Sequence, residues 1–286
     1  MDTNRRVQTL RQHSEVVTCL AIASDLGQHW LVTGSKDCTL IVWEVLPERN
    51  TRPVNPVSLT TIRGHDDVIN CVAVNPELNL IVSGSDDGTM MLHTLRDFTY
   101  IRNIQFNQVP RDAPLARSKS TLGSARVNMV LISAAEALII AYSCDGNFLH
   151  TYSLNSMDIP GPLKSIGVYE RLHSMILSED GKVLLTGGTR CLVVLRWART
   201  LMVANTGPRE HLEAIIDGRS QAITGTDGKK RDTMPFDSPI RSLYLTAMEQ
   251  QLVVGLESGR VRILSQDNKY MNDRLRNQLL VTGYFQ

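Results

Sequence analysis

The chain has 286 residues, of which 42% are apolar and 21% charged, with a formal net charge of +1. That composition excludes wholesale disorder, and no global charge draws the chain to nucleic acid or to an anionic membrane. The opening MDTNRRVQTLRQH lacks the apolar core of a signal peptide, and no run approaches the roughly 20 apolar residues of a spanning helix.

In chain order, the run VQTLR at 7–11 reads as an outer strand whose inner strands are absent. Two segments then align without forcing. One is QHSEVVTCLAIA followed by WLVTGSKDCTLIVWEV, between Gln12 and Val45; the other is GHDDVINCVAVN followed by LIVSGSDDGTMMLHTL, between Gly64 and Leu95. Period-two alternation in VVTCLAIA and VINCVAV predicts strands with one face in a core. The stretch Ser-Asp-Asp-Gly-Thr is turn chemistry joining two antiparallel strands, with Gly88 free to take positive φ. Asp37 and Asp87 fall in these turns, each six residues before a ring side chain, Trp43 or His93.

Weaker copies follow. ARVNMVLISAAE and LIIAYSCDGNFLHTYSL keep an Asp145-Gly146 turn, and RLHSMILSEDGKVLLTGGTRCLVVLRWA places Arg190 where the turn Asp stood. SPIRSLYLTAMEQQLVVGLESGRVRIL repeats the plan around Ser258-Gly259. Fourth strands are expected at VSLTTIR, YIRNIQF and LKSIGVY, and a last one at LLVTGYF in the tail 266–286. Successive turn positions 37, 87, 145, 190 and 258 are unevenly spaced, while a repeat of this kind needs about 40–45 residues. The excess is assigned to inserted loops at 107–123 and 207–237.

His, Ser or Thr, Asp and Trp at these offsets resemble the WD40 repeat, which implies an all-β propeller of four-stranded blades. The resemblance implies that His13, Asp37 and Trp43 share a buried hydrogen-bond network, with Thr33 or Ser35 supplying a hydroxyl. His65 and Asp87, with Ser83 or Ser85, would form a second network that lacks its Trp. Five blades are recognisable within a propeller spanning 1–265, near 12–63, 64–106, 124–168, 170–206 and 238–286. They close alone or form part of a seven-bladed ring; the orphan strand at 7–11 fits either a seam or a truncation.

The details also resemble the WD40 region of BEACH-domain proteins, the beige and neurobeachin-like family. The residues that carry this are RQHSEVVTCLA at Arg11–Ala21, SGSDDGTMMLHTLRDFTYIRNI at Ser83–Ile104 with His93-Thr94 where a Trp-Asp pair usually stands, and the final SPIRSLYLT to VRIL run. Membership would imply a scaffold in vesicle trafficking or membrane dynamics, cytoplasmic or peripheral on endomembranes, with the BEACH module upstream of this chain. An adaptor of another cytosolic complex, or a propeller that binds phosphoinositide, is the alternative.

Chemistry-bearing motifs are scarce. TGTDGKKR has Ile223 where a P-loop needs Gly, no GxSxG occurs, and His211-Leu212-Glu213 has no PCxxC after it. Cys19, Cys38, Cys71, Cys144 and Cys191 form no CxxC pair, so reduced structural thiols are expected instead of a zinc site or disulfides. No catalytic residue, cofactor or metal is expected, and His29, His150 and His173 read as strand-end or surface residues. The expected partners are proteins or peptides held by loops, with Arg11, Arg63, Asp66 and Asp67 as candidates and nucleic acid not expected. The basic loop residues Arg111, Arg117, Lys119 and Arg126 are candidates for an acidic partner or a membrane surface.

Overall fold

Each Asp-centred turn closes a hairpin because the chain can reverse there at low cost. In the first, Cys38 takes a left-handed φ of 63°, and in the second Gly88 takes 80° at the same position. A computed structural model describes residues 8–46, 53–106, 125–155, 162, 164–168, 170–178, 181, 183–189, 192–196, 198–199, 210–211, 236, 238–246 and 251–265. Among the described residues every regular element is a strand. The chain divides into two compact units, Met1–Gly167 and Val168–Gln286.

The first unit holds three antiparallel four-stranded sheets. Strands β1 (Val17–Asp25), β2 (Gln28–Ser35), β3 (Thr39–Glu44) and β4 (Thr60–Arg63) pair in sequence order. So do β5 (Ile69–Asn75), β6 (Leu80–Ser85), β7 (Thr89–Thr94) and β8 (Tyr100–Gln105). The third sheet is β9 (Met129–Ser133), β10 (Leu138–Ser143), β11 (Phe148–Ser153) and β12 (Lys164–Gly167). The second unit contains β13 (Leu172–Leu177), β14 (Val183–Gly188) and β15 (Leu192–Arg196), then the short pair β16 (Ala198–Arg199) and β17 (Glu210–His211). It ends with β18 (Ile240–Leu245), β19 (Gln251–Leu256) and β20 (Val261–Ser265). The five repeats read from sequence are therefore five principal sheets, three with four strands and two with three among the described residues.

Within the first unit the sheets stack face to face. Ala23, Trp30, Val32, Leu40, Val42 and Ile62 of the first sheet meet Ile69, Ile81 and Leu95 of the second. The opposite face of the second sheet, with Leu80, Val82, Met90 and Leu92, meets Val130, Ile139, Ala141 and Tyr152 of the third. A similar joint in the second unit buries Leu185 and Leu192 against Ile240, Leu252, Val254 and Leu264. Removing this apolar area from water drives the stacking, because a sheet with two apolar faces has no other way to hide both.

Two local devices recur at these joints. A glycine in the second strand of one sheet makes room for the residue that opens the next sheet. A Cβ on Gly34 would lie 2.9 Å from Ile69 Cγ2, and Cβ atoms on Gly84 and Gly187 would collide with Val127 and Ile240. Four of the five first strands also carry a register irregularity at their second residue, between Val17 and Cys19, Ile69 and Cys71, Leu172 and Ser174, and Ile240 and Ser242. Such a bulge re-aims one side chain. Thr18 Oγ1 thereby donates to the Ile69 carbonyl, and Asn70 Nδ2 donates to the Val127 carbonyl at 3.3 Å. In the second unit the bulge residues His173 and Arg241 lie 3.2 Å apart, Nδ1 to Nη1.

Gly84→Ala is expected to destabilise the protein by about 2–3 kcal/mol, since the new methyl overpacks against Val127 and the Cys71 sulfur. Urea unfolding checks this, and a loss under about 0.5 kcal/mol would mean that Val127 yields freely.

Three expectations need correction. Residues 8–16 hold no strand; the Gln8 amide instead clasps the Val54 backbone, Nε2 to O at 2.7 Å and N to Oε1 at 3.1 Å. His150 is not a surface residue: it is buried in β11, with its ring 4.4 Å edge-on from that of Phe106. The insertion at 207–237 contains the two residues of β17. The loop 107–123, Arg190, Cys191 and the tail from 266 lie outside the described residues.

Candidate functional site

All first strands start, and all second-to-third turns lie, at the same end of their sheets. At that end the predicted networks form. His13 Nδ1 is 2.9 Å from Asp37 Oδ2, and its Nε2 is 2.9 Å from Thr33 Oγ1, which also accepts from Trp43 Nε1 at 3.1 Å. The direction of each bond follows from what the partners can do. Indole only donates and an ionised carboxylate only accepts, so protons run from Trp43 to Thr33, and from His13 Nδ1 to Asp37. Thr33, not Ser35, supplies the hydroxyl; Ser35 Oγ instead accepts from the Asp37 amide at 3.1 Å.

Asp37 accepts three further bonds, from Ser14 N at 3.0 Å, Thr39 N at 3.0 Å and Thr39 Oγ1 at 2.6 Å. Burial alone would raise its pKa, but the Thr39 hydroxyl, His13 and the two amides together hold the carboxyl far below the usual range. The second sheet repeats the set. His65 Nδ1 is 3.0 Å from Asp87 Oδ2 and its Nε2 is 2.9 Å from Ser83 Oγ. Asp66 N, Thr89 N and Thr89 Oγ1 complete the shell of Asp87, whose carboxyl is also depressed because these bonds outweigh burial. In the third sheet Ala125 stands at the His position, yet Arg126 N still donates to Asp145 Oδ2 at 3.0 Å.

Sequence reasoning missed Thr39, Thr89 and the bulge residues Thr18 and Asn70. The repeated Asp-x-Thr spacing was a usable signal for the first two. For Thr18 and Asn70 there was none, because their acceptors lie in another sheet.

Ser83, His65 and Asp87 have the distances of a nucleophile, base and orienting acid. They cannot serve as one. Ser83 has no exposed surface, and its hydroxyl sits mid-sheet beside the Met91 carbonyl, so no substrate carbonyl reaches it. The networks therefore fix loop geometry. Among the described residues, no group of three or more His, Cys, Asp or Glu could hold a metal ion, and no helix is long and apolar enough to cross a membrane. Cys19, Cys38, Cys71 and Cys144 are in no disulfide among the described residues, and burial pushes the Cys19 and Cys71 thiols up, which makes them poor nucleophiles.

His93 takes the Trp position of the second network but leaves its buried Nδ1 without a hydrogen-bond partner. Burial, with His65 beside it, lowers its pKa. His93→Trp is expected to raise stability by about 1 kcal/mol, because the indole N–H can donate to Ser83 as Trp43 donates to Thr33. Denaturant titration reads this directly, and a loss would mean that the pocket beside Tyr100 is too small.

The anchored loops present an exposed, charged rim. Arg11, Arg63, Asp66 and Asp67 are all exposed there. Arg126 is exposed too, with its Nε 3.9 Å from both Asp86 Oδ1 and Asp145 Oδ2. Asp67 also has an internal role, since its carbonyl accepts from Ser85 Oγ at 3.0 Å. Arg111, Arg117 and Lys119 lie outside the described residues.

Four-stranded antiparallel sheets, stacked face to face and pinned by a His–Asp–hydroxyl network at one end, define a β-propeller of the WD40 type. The chain belongs to the neurobeachin β-propeller domain family, whose family model matches residues 1–209. It is 32% identical over 214 residues to BEACH domain-containing protein B of Arabidopsis thaliana, covering 70% of this chain and 7% of that protein. It is 26% identical over 274 residues to BEACH domain-containing protein lvsE of Dictyostelium discoideum, covering 93% of this chain and 10% of that one. A putative neurobeachin homolog of Caenorhabditis elegans is 22% identical over 93% of this chain and 9% of its own length. The chain thus spans a tenth or less of the curated relatives it matches. Among solved structures, the β-propeller domain of Myceliophteria thermophila Cps50 (Swd1) superimposes with a TM-score of 0.58 at 18% identity, over 96% of this chain and 73% of that one. That likeness supports the fold.

Proposed function

We propose that this chain is a non-catalytic protein–protein interaction scaffold, the WD40 part of a BEACH-type protein acting in vesicle trafficking or membrane dynamics. Its setting is the cytoplasm, peripheral to endomembranes, with the BEACH module elsewhere in the longer protein. The observation that carries the reading is the rim itself: exposed charges stand on loops whose backbones are tied to the part-buried carboxylates of Asp37 and Asp87. Preorganised loops bind without a large ordering cost.

Both signs are interspersed there, with Arg11, Arg63 and Arg126 among Asp66, Asp67, Asp86 and Asp145. Such a pattern suits a protein surface of complementary pattern better than a uniformly anionic membrane or nucleic acid. The test is affinity capture from cytosol with mass spectrometry, comparing the chain with an Arg11→Glu, Arg63→Glu, Asp67→Lys variant. Trafficking or membrane-associated proteins should be recovered by the first and reduced at least about tenfold with the second, at unchanged thermal stability. Identical recovery by both, or binding only to anionic vesicles, would overturn the reading.

A further inference from the structure

His173 and Arg241 are the second-unit counterparts of Thr18 and Asn70, but they join their strands differently. Thr18 and Asn70 each donate to a backbone carbonyl of the next sheet. His173 of β13 and Arg241 of β18 meet side chain to side chain, which leaves donors over. A guanidinium only donates, so His173 Nδ1, 3.2 Å from Arg241 Nη1, accepts. The ring is then neutral, and its proton sits on Nε2, on the far side from Arg241. Burial favours that neutral form, and the charges of Arg241 and Arg171 add to it against Glu257.

Arg241 is held from two sides. Its Nη2 donates to Glu257 Oε1 at 2.7 Å and its Nη1 to His173, yet 49% of the side chain faces water. These bonds occupy only part of the guanidinium fork. Arg171, exposed just before β13, is close enough for its charge to act on the same ring. With Arg260 in the β19–β20 turn, these arginines stand at this end of the unit against Glu170 and Glu257.

We propose, on the footing that the chain is an interaction scaffold, that Arg171, His173 and Arg241 bind the side-chain carboxylate of an acidic peptide segment of a partner protein. The donors match that ligand. An imidazole N–H and guanidinium N–H groups meet only acceptors, and a guanidinium fork fits both oxygens of a carboxylate. An arginine already fixed by Glu257 and His173 loses little side-chain freedom when the ligand arrives. Glu170 and Glu257 border the site, so a carboxylate presented by a peptide fits where a continuous anionic membrane surface would face both glutamates.

The test is fluorescence anisotropy of the whole chain with two short fluorescein-labelled peptides, one alternating Glu with Ser and one carrying Gln in place of Glu. The Glu peptide should bind at least about tenfold more tightly, by a margin that narrows as salt rises. Arg171→Gln should weaken it at least about fivefold. His173→Asn keeps an acceptor for Arg241 and removes the outer N–H. It should weaken binding about threefold at an unchanged thermal midpoint, which a merely structural joint would not do. Lys36→Gln removes an exposed cation of the first unit and should change the affinity less than about twofold. Equal binding of the two peptides overturns the site and needs no variant to show it. Equal losses in Lys36→Gln and Arg171→Gln overturn it too, since the attraction is then net charge alone. Arg171-dependent binding to phosphatidylserine vesicles without peptide binding assigns the surface to lipid and overturns it as well. Capture from cytosol is read in parallel: capture without peptide binding overturns this site alone, and loss of both overturns the scaffold reading with it.

Discussion

Asp37→Ala is expected to lower the unfolding free energy by about 3–4 kcal/mol, which is enough to unfold a marginal domain at physiological temperature. The carboxylate gathers Ser14 N, Thr39 N, Thr39 Oγ1 and His13 Nδ1, and the His13 and Asp37 side chains are only 5% and 9% exposed. Alanine leaves the part-buried donors His13 Nδ1, Thr39 N and Thr39 Oγ1 without their acceptor, so the loss exceeds that of a surface ion pair. Asp87→Ala should behave alike. Asp145→Ala makes the contrast, because Ala125 stands where a histidine would, and its cost should be about 1 kcal/mol. Guanidinium unfolding monitored by circular dichroism measures all three, and a loss below about 1 kcal/mol for Asp37→Ala would show that the network is not what pins the hairpin.

The same residues show what a sequence can reveal. Asp37, Asp87, His13 and His65 were legible because a hairpin turn and its nearby strand are local, and their offsets repeat. The fourth strands ending at Arg63 and Gln105 were legible for the same reason. Thr18 and Asn70 were not, since a bulge becomes a joint only when the next sheet brings a carbonyl to it. Leu20 and Ile22 alternate as core residues should; alternation reports a strand with an apolar face but cannot report whether a neighbour covers it. His150 was misread because a histidine followed by Thr151 and Tyr152 looks exposed. Sheet stacking buries all three, and Thr151 Oγ1 and Tyr152 OH have no hydrogen-bond partner among the described residues.

Buried His150 gives the protein an expected acid sensitivity well above the carboxylate range. Burial in β11 lowers its pKa from 6.5 to about 4, so the folded state favours the neutral ring. The unfolded chain takes up the proton below about pH 6.5, the folded chain only near 4, and the unfolded state thus binds more protons between them. Stability is full above pH 6.5, falls as pH drops towards 4, and levels once both forms are protonated. The span is worth about 2–3 kcal/mol for this group, and His93 and His173, both lowered chiefly by burial, act in the same direction. Asp37 and Asp87 act in a separate window. Their depressed carboxyls contribute stability above about pH 4, the unfolded value, and lose it as pH falls through the folded one. His150→Leu keeps an apolar group against Phe106 and removes the titration, so it should flatten the decline between pH 6.5 and 4 while leaving the steeper fall below 4 intact. Chemical unfolding at half-unit pH steps separates the two windows. A variant that kept the full decline would assign it to His93 and His173 instead, and would mean that the buried ring in β11 carries its proton in both states.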